Sequence, residues 1–210
     1  MTLKTFAICF LLLALCVSGG HAALLSFEDF EAGASGWNDN TTDNSNSTFT
    51  RFLGRFAGTG SAQGYYKSYA LNGLPNIVTV QFDFYRIDSW DAENFLVFID
   101  NAMVSTMTYV GNGTPTLPSY IQALTPVQEM GWSANAGWQE QKLRYTFLVN
   151  TQASSIKLGF GSSLNSGIAD ESWGIDNVTI SYQQVPEISV LYLFSISLLL
   201  IVFFSRKRLF

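Results

Sequence analysis

The chain has 210 residues and a formal net charge of −5, and 13% of its residues are charged while 15% are aromatic. Fifteen of the 16 acidic residues but only seven of the 11 basic residues lie between positions 23 and 182. Such an acidic segment lacks the basic face that nucleic-acid binding requires, so the composition excludes nucleic acid as a partner. Sparse charge with abundant aromatic and small polar residues is typical of exported β-rich proteins.

Residues 1–22 have the pattern of a secretory signal peptide. Lys4 precedes an apolar segment from Phe6 to Val17, and Gly20-His21-Ala22 places small residues at the −3 and −1 positions of a cleavage site. A lipoprotein signal ending at Cys16 is the alternative, although Leu15 is bulky for the position before the modified cysteine. We expect cleavage at the end of the Gly-His-Ala motif.

This signal contains every histidine and cysteine of the chain, namely His21, Cys9 and Cys16. Without it, the mature protein can form no disulfide, no cysteine nucleophile, no histidine-based triad and no histidine zinc site. Carboxylates, tyrosines and lysines remain for chemistry. They favour an oxygen-ligated hard cation such as calcium, if a metal is bound.

Residues 23–182 have the size of one domain, and their periodicity predicts β-strands. The segment from Phe95 to Ile99 is apolar throughout, which predicts a strand covered on both faces. Clusters of Gly, Asn, Ser and Pro separate the predicted strands, and no convincing amphipathic helix occurs among them. We therefore predict an all-β fold, a jelly-roll β-sandwich. Apolar side chains alternate with polar ones in four segments, Val78–Phe84, Leu143–Phe147, Ile156–Phe160 and Val178–Tyr182.

Two acidic segments each carry a tryptophan and lead into a strand: Asp88-Ser89-Trp90-Asp91-Ala92-Glu93 and Asp170-Glu171-Ser172-Trp173-Gly174-Ile175-Asp176. Asp176 has the same parity as Val178 and Ile180, so simple alternation directs its carboxylate towards the core. An unpaired buried carboxylate is costly and would neutralise or bind a cation. A calcium ion at Asp176 is one interpretation; a β-bulge that turns Asp176 to solvent, or a turn cap, is the other.

The two ends of this domain resemble MAM-type and related lectin-like jelly rolls. The similar residues are Phe30-Glu31-Ala32-Gly33, Gly36-Trp37 and the segment from Gly174 to Ile180. MAM domains normally carry disulfides, and the predicted mature chain has none. The resemblance implies one structural calcium ion, shared by Glu31 near the first strand and Asp176 at the last strand, with Glu28 as a neighbouring ligand.

The tryptophans invite a carbohydrate interpretation. We predict that Trp37, Trp90 and Trp173 plug the sandwich, because they lie close to the acidic motifs. Trp132 and Trp138 bracket a polar segment in a predicted long loop. Exposed aromatic faces are natural platforms for sugar rings, so these two residues are candidate ligand-binding residues. For both of them the sequence leaves plugging and ligand binding open.

The favoured function is non-catalytic binding of a polysaccharide or another surface partner. A glycosidase or polysaccharide lyase is the enzymatic alternative, because Asp88, Asp91 and Glu93 offer an acid and a nucleophile. No sequence signature pairs these carboxylates across a cleft. A purely structural surface protein is the third possibility.

The C-terminal residues predict a membrane anchor with a sorting motif. A linker at 183–187 contains Val185-Pro186-Glu187, an apolar segment runs from Ile188 to Phe204, and the tail at 205–210 contains Arg206-Lys207-Arg208. Seventeen helical residues rise about 25 Å, close to the hydrocarbon thickness of a bilayer, so one transmembrane helix is predicted. The basic tail would stay on the cytoplasmic side.

This arrangement resembles the PEP-CTERM sorting signal of exosortase-containing Gram-negative bacteria, with Ile188 in place of the second proline of the family motif. The resemblance implies an exosortase-type sorting enzyme as a partner. It also implies anchoring in the inner membrane before processing, and delivery to the outer envelope or the extracellular matrix afterwards.

Processing of this tail is directly testable by mass spectrometry of the mature protein. Cleavage near Pro186-Glu187 would remove the helix and the basic end, so we expect no C-terminal peptide that contains Arg206-Lys207-Arg208. A mature N-terminus at Ala23, found in the same spectra, is the internal control for export. Recovery of the intact basic end on exported protein would contradict the sorting hypothesis.

Overall fold

The structure, a computed structural model, describes residues 22–73, 76–132 and 138–184. Its compact domain runs from Ala23 to Tyr182. The described residues form β-strands and no α-helix, and so contain no helix long and apolar enough to cross a membrane. Residues 1–21 of the predicted signal peptide lie outside the described residues, and Ala22 is the first residue of β1. The C-terminal predictions also lie outside them, namely the sorting motif Val185-Pro186-Glu187, the apolar segment from Ile188 to Phe204 and the basic cluster Arg206-Lys207-Arg208.

Eleven strands occur in the described part of the chain, separated by turns that are rich in Gly, Asn and Ser. They are β1 (Ala22–Glu28), β2 (Thr42–Asp43), β3 (Phe52–Phe56), β4 (Tyr65–Ala70), β5 (Asn76–Asp88), β6 (Asp91–Ile99), β7 (Ala102–Val110), β8 (Ile121–Ala123), β9 (Gln141–Thr151), β10 (Ser155–Ser162) and β11 (Glu171–Gln184).

The strands form two sheets. The larger sheet has the order β2-β3-β11-β5-β9-β8, with β1 paired to β11, and the smaller sheet has the order β4-β10-β6-β7. The main strands of the larger sheet, β3-β11-β5-β9, and the four strands of the smaller one are linked by connections that pass repeatedly between the sheets. This is the connectivity of a jelly roll. The prediction of an all-β sandwich is confirmed.

The core lies between the two sheets and is strongly aromatic. The alternating apolar positions on β5, β9, β10 and β11 fill it as predicted, and Phe95–Ile99 is buried on both faces. Phe95 is central: its ring stacks on Phe84 with centroids 3.9 Å apart and lies 5.4 Å from the ring of Trp173. Trp37, Trp90 and Trp173 belong to this core, so their predicted plugging role is confirmed.

A second, smaller cluster covers the other face of the larger sheet. Phe52 and Tyr85 belong to this cluster, whereas their neighbours Leu53 and Phe84 belong to the main core, so the two clusters lie on opposite faces. The full cluster comprises Phe49, Phe52, Tyr85, Ile87 and Met130, with Trp132 packed against it.

Replacement of Phe95 by alanine tests the central role of this ring. Because Phe95 is fully buried among aromatic rings, we expect Phe95→Ala to lower the free energy of unfolding by about 3–5 kcal/mol, measured by urea unfolding of the full-length protein. Leu148→Ala on β9 is the control, since Leu148 is 72% exposed and its loss should change stability by no more than about 0.5 kcal/mol. Equal effects of the two substitutions would contradict this description of the core.

Candidate ligand and cation site

The two acidic, tryptophan-bearing segments meet in the structure. Ser89, between β5 and β6, donates hydrogen bonds from its backbone N and its Oγ to the backbone O of Asp170, at 3.1 and 3.0 Å. Ser89 Oγ also lies 2.9 Å from Asp170 Oδ1. The indole Nε1 of Trp90 donates to the backbone O of Ser172 at 3.0 Å. These bonds fix the turn before β6 against the turn before β11.

Three carboxylates converge where these segments meet. Asp91, Glu93 and Glu171 each offer an oxygen, and these oxygens all lie within 4.8 Å of one another. Glu93 and Glu171 are buried, and Asp91 is exposed. A β-bulge at Ala92, whose φ is 92°, shifts the register of β6 against β7. The backbone N of Asp91 donates to Glu93 Oε2 at 2.5 Å, so the bulge orients the Glu93 carboxylate.

The surroundings of this cluster disfavour the state in which all three carboxyl groups are ionised. Burial raises the pKa of Glu93 to about 7, and its hydrogen bond with the Asp91 carboxyl contributes to the rise. Burial also raises the pKa of Glu171; hydrogen bonds from the backbone N–H groups of Asn165 and Ser166 oppose this rise, and the nearby charges of Asp91 and Asp170 add to it. The ion pairs of the described residues are Arg55–Asp88, Lys67–Glu28 and Arg144–Asp83, so none of them neutralises this cluster.

A pocket of about 380 Å³ opens beside the cluster. Trp138, a candidate ligand-binding residue from the sequence, is one of its walls, and its ring is half-buried. The pocket combines an indole surface with hydroxyl and carboxylate groups. Its lining comprises Ser89, Trp90, Asp91, Val110, Gly111, Trp138, Ser166, Asp170 and Glu171.

Trp132, the other candidate ligand-binding residue, lies elsewhere. Its ring packs against Phe49 and Phe52 in the cluster on the far face of the larger sheet, at centroid distances of 5.6 and 6.1 Å. The guanidinium carbon of Arg55 lies 4.3 Å from the centroid of the Trp132 ring. The ring of Trp132 is therefore partly covered by other side chains. It does not line the pocket to which Trp138 belongs.

The carboxylates that the MAM-like resemblance implicates have protein partners of their own. Glu28 Oε2 accepts a hydrogen bond from Trp37 Nε1 at 2.9 Å, and Glu28 Oε1 lies 3.0 Å from Lys67 Nζ. Glu31 is exposed and accepts a hydrogen bond from the backbone N of Arg51 at 2.9 Å. Among the described residues, Glu28, Glu31 and Asp176 do not form a group whose oxygens lie within 4.8 Å of one another.

Asp176 is buried, but it does not face the main core as simple alternation predicts. Ile175 and Val178 both belong to the core, although they are three positions apart and regular alternation would place them on opposite faces. Asn177 between them has a φ of 50°, which reverses the alternation and turns Asp176 towards the opposite face. The prediction from strand parity is wrong because one bulge residue shifts the alternation, so that the residues before and after it face opposite sides from those expected.

The carboxylate of Asp176 is satisfied by hydrogen bonds. Oδ2 accepts from the hydroxyls of Tyr85 and Thr50 at 2.7 and 2.8 Å, and Oδ1 accepts from the backbone N of Asn177 at 2.7 Å. Burial raises the pKa of Asp176, while these donors lower it. Because the buried carboxylate has partners, its burial alone no longer argues for a cation at this position.

Asp88, a candidate in the enzymatic alternative, belongs to a different buried polar group. Arg55 Nη2 lies 3.2 Å from Asp88 Oδ2, and Arg55 Nε donates to Ser172 Oγ at 2.9 Å. Burial raises the pKa of Asp88 to about 6 and that of Glu140 to about 7. Glu140 is fully buried; its Oε2 accepts a hydrogen bond from the backbone N of Met130, and its Oε1 has no hydrogen-bond partner in the described structure.

Glu171 and Asp170 are the site residues that sequence reasoning missed. Both lie in the second acidic segment, in which strand parity points to Asp176 instead. The available signal was the similarity of the two segments, which share acidic residues, a serine and a tryptophan ahead of a strand. Pairing the segments with each other would have indicated the cluster.

Comparisons with known proteins assign no family to the chain: no protein-family model and no curated protein matches it. Dimeric latent PorU from Porphyromonas gingivalis matches in structure at 8% identity and a TM-score of 0.43, over 79% of this chain. The chain spans 13% of the length of that protein.

Two family 35 carbohydrate binding modules also match in structure. One comes from an environmental isolate, with 17% identity, a TM-score of 0.38 and coverage of 73% of this chain and 90% of that one. The other comes from Clostridium thermocellum, with 11% identity, a TM-score of 0.38 and coverage of 76% and 97%. Likenesses at this level bear on neither the site nor the function.

The buried Glu140 carboxyl predicts a pH dependence of stability. Its pKa is raised in the folded state, so the folded protein binds more protons than the unfolded one between about pH 4.5 and 7. Stability should therefore fall as the pH rises through this window. Glu140→Gln should reduce the slope by up to about 1.4 kcal/mol per pH unit and raise the melting temperature at pH 8.

Urea unfolding at a series of pH values measures this slope for the wild-type protein and the Glu140→Gln variant. Glu31→Gln is the matched control, because Glu31 is an exposed carboxylate whose loss should leave the slope unchanged. A wild-type slope that persists unaltered in Glu140→Gln would contradict the assignment.

Proposed function

We propose that the chain is an exported, non-catalytic module that binds carbohydrate in the pocket lined by Trp138. The observation that carries the proposal is the combination of an indole wall with hydroxyl and carboxylate groups in one pocket of about 380 Å³. This size lies within the usual range for small-ligand sites. Of the two candidate ligand-binding residues from the sequence, Trp132 and Trp138, only Trp138 lines this pocket.

The chemistry of the lining suits a sugar ring. An indole face packs against the C–H surface of a pyranose, and polar side chains around it bind the hydroxyl groups. Ser89 and Asp170 are already fixed to each other by hydrogen bonds, so their orientation costs little when a ligand binds. The acidic lining favours a neutral or cationic saccharide over a polyanionic one.

Burial of the carboxylates favours binding over catalysis. Of the three clustered carboxylates, Glu93 and Glu171 are buried, and only Asp91 is exposed. Asp88 is committed to an ion pair with Arg55. An acid–nucleophile pair has to reach both sides of a scissile bond, and buried carboxylates cannot do so.

One observation favours the enzymatic alternative, a carboxylate-dependent glycosidase. The pKa of Glu93 is raised to about 7, the range that suits a general acid at neutral pH. Release of reducing sugar from a polysaccharide panel, lost in Glu93→Gln, would support that alternative and contradict the non-catalytic proposal.

The predicted terminal segments support a proposal for where the module is located. The signal peptide would export the domain, and the PEP-CTERM-like tail would anchor it in the inner membrane until an exosortase-type enzyme releases it. A surface or matrix destination places polysaccharides within reach of the pocket. The acidic, cysteine-free composition of residues 23–182 is compatible with that setting.

Substitution of Trp138 tests carbohydrate binding at the pocket. The full-length protein is screened against a panel of neutral and charged polysaccharides by affinity electrophoresis, and retained glycans are titrated by calorimetry. Trp138→Ala should weaken binding by about fivefold or more, since an aromatic contact contributes about 1 kcal/mol or more.

Trp132→Ala is the matched control, because Trp132 packs on the opposite face of the larger sheet. It should lower the melting temperature and leave glycan affinity unchanged. Retention of no polysaccharide, or an equal loss of affinity in the two variants, would contradict the assignment of the pocket.

A further inference from the structure

We propose that Asp91, Glu93 and Glu171 bind a divalent cation with the size and oxygen preference of calcium. The site lies away from Glu31 and Asp176, where the sequence resemblance places calcium. It does not depend on carbohydrate binding, because the carboxylates are gathered by protein contacts alone.

Like charges converge at this cluster. Three carboxylate oxygens from two strands lie within 4.8 Å of one another. Two ligand oxygens of one calcium ion lie at most about 4.8 Å apart, twice a calcium–oxygen distance of about 2.4 Å, so these separations are compatible with one shared ion. The ion pairs of the described residues leave these three carboxylates without a basic partner. A bound cation would replace their mutual repulsion by attraction.

One buried carboxylate oxygen of the cluster is unpaired. Glu171 is only 2% exposed, and its Oε2 accepts no hydrogen bond within the described structure. The backbone N–H groups of Asn165 and Ser166 act on the Glu171 carboxylate, yet its Oε2 stays unpaired, and a buried carboxylate oxygen without a partner costs free energy. The oxygen that lacks donors therefore belongs to a group in which a metal ion would take their place.

The cluster is accessible from solvent through the pocket. Asp91 and Glu171 line the pocket, and Asp91 is exposed, so an ion can reach the cluster from solvent. The three carboxylates offer up to six oxygens, and water in the pocket can complete the six to eight ligands that calcium takes. The donor set is entirely oxygen, which favours calcium or magnesium over zinc or copper.

The chain offers one other way to relieve the repulsion, which is a proton shared between carboxyl groups. In that case the cluster would be stable without metal, and an amide in place of one carboxyl group would preserve the fold. The two possibilities differ in their response to calcium, so a metal titration separates them.

The test is calcium binding by the full-length protein in detergent after removal of metal with EGTA. Calorimetry with CaCl2 should show one site, and the melting temperature should rise with the logarithm of the calcium concentration. Asp91→Asn and Glu171→Gln should each weaken binding by about tenfold or more. Asp91→Asn guards against misfolding, because Asp91 is exposed.

Glu31→Gln is the matched control and should retain both the affinity and the thermal shift. Loss of calcium binding in Glu31→Gln or Asp176→Asn, with binding kept in Glu171→Gln, would overturn the proposal and place the ion at the site implied by the resemblance. Absence of any calcium response in the wild-type protein would overturn it in favour of shared protons. Carbohydrate retention that survives EGTA would leave the carbohydrate proposal standing in either case.

Discussion

The packing of Trp90 is the interaction on which both the core and the site depend. Its ring is fully buried against Phe84 and Tyr109, with centroids 5.8 and 5.6 Å away, while its Nε1 donates to the backbone of Ser172. One side chain thereby fixes the turn before β6 to the start of β11. Aromatic packing supplies the free energy, and the single polar atom supplies the orientation. This contact holds the Asp91 and Glu93 carboxylates of β6 close to the Glu171 carboxylate of β11.

The sequence predicts the fold well because apolar and polar residues alternate along the strands of a β-sandwich. The apolar positions on β5, β9, β10 and β11 give the inner faces directly, and the uniformly apolar Phe95–Ile99 segment is the strand buried on both faces. This alternation is a property of each strand by itself, so it can be identified in the sequence without knowing the order of the strands in the sheet. The pairing of β11 with β3 and β5 joins residues that are far apart in the sequence, so only the structure reveals it.

The site is less predictable, for two physical reasons. A single bulge at Asn177 reverses the face of Asp176, and nothing in the local sequence distinguishes it from regular alternation. Glu171 and Asp91 are distant in sequence, and their segments are brought together by the contacts of Ser89 with Asp170 and of Trp90 with Ser172. The place of Trp138 in a polar predicted loop makes it a candidate, but the same reasoning applies equally to Trp132, whose ring lies against Arg55. Residue type indicates the chemistry, whereas the fold decides which residues share a site.

The position of β11 has a consequence for how the domain is made. This last strand lies in the interior of the larger sheet, with β3 on one side and β5 on the other. While the chain is being synthesised, those two strands have no common neighbour, and their facing edges stay open until residue 184 is available. The domain therefore cannot complete its larger sheet strand by strand as it emerges. It closes in one late step, and until then its open edges need protection from pairing with other chains.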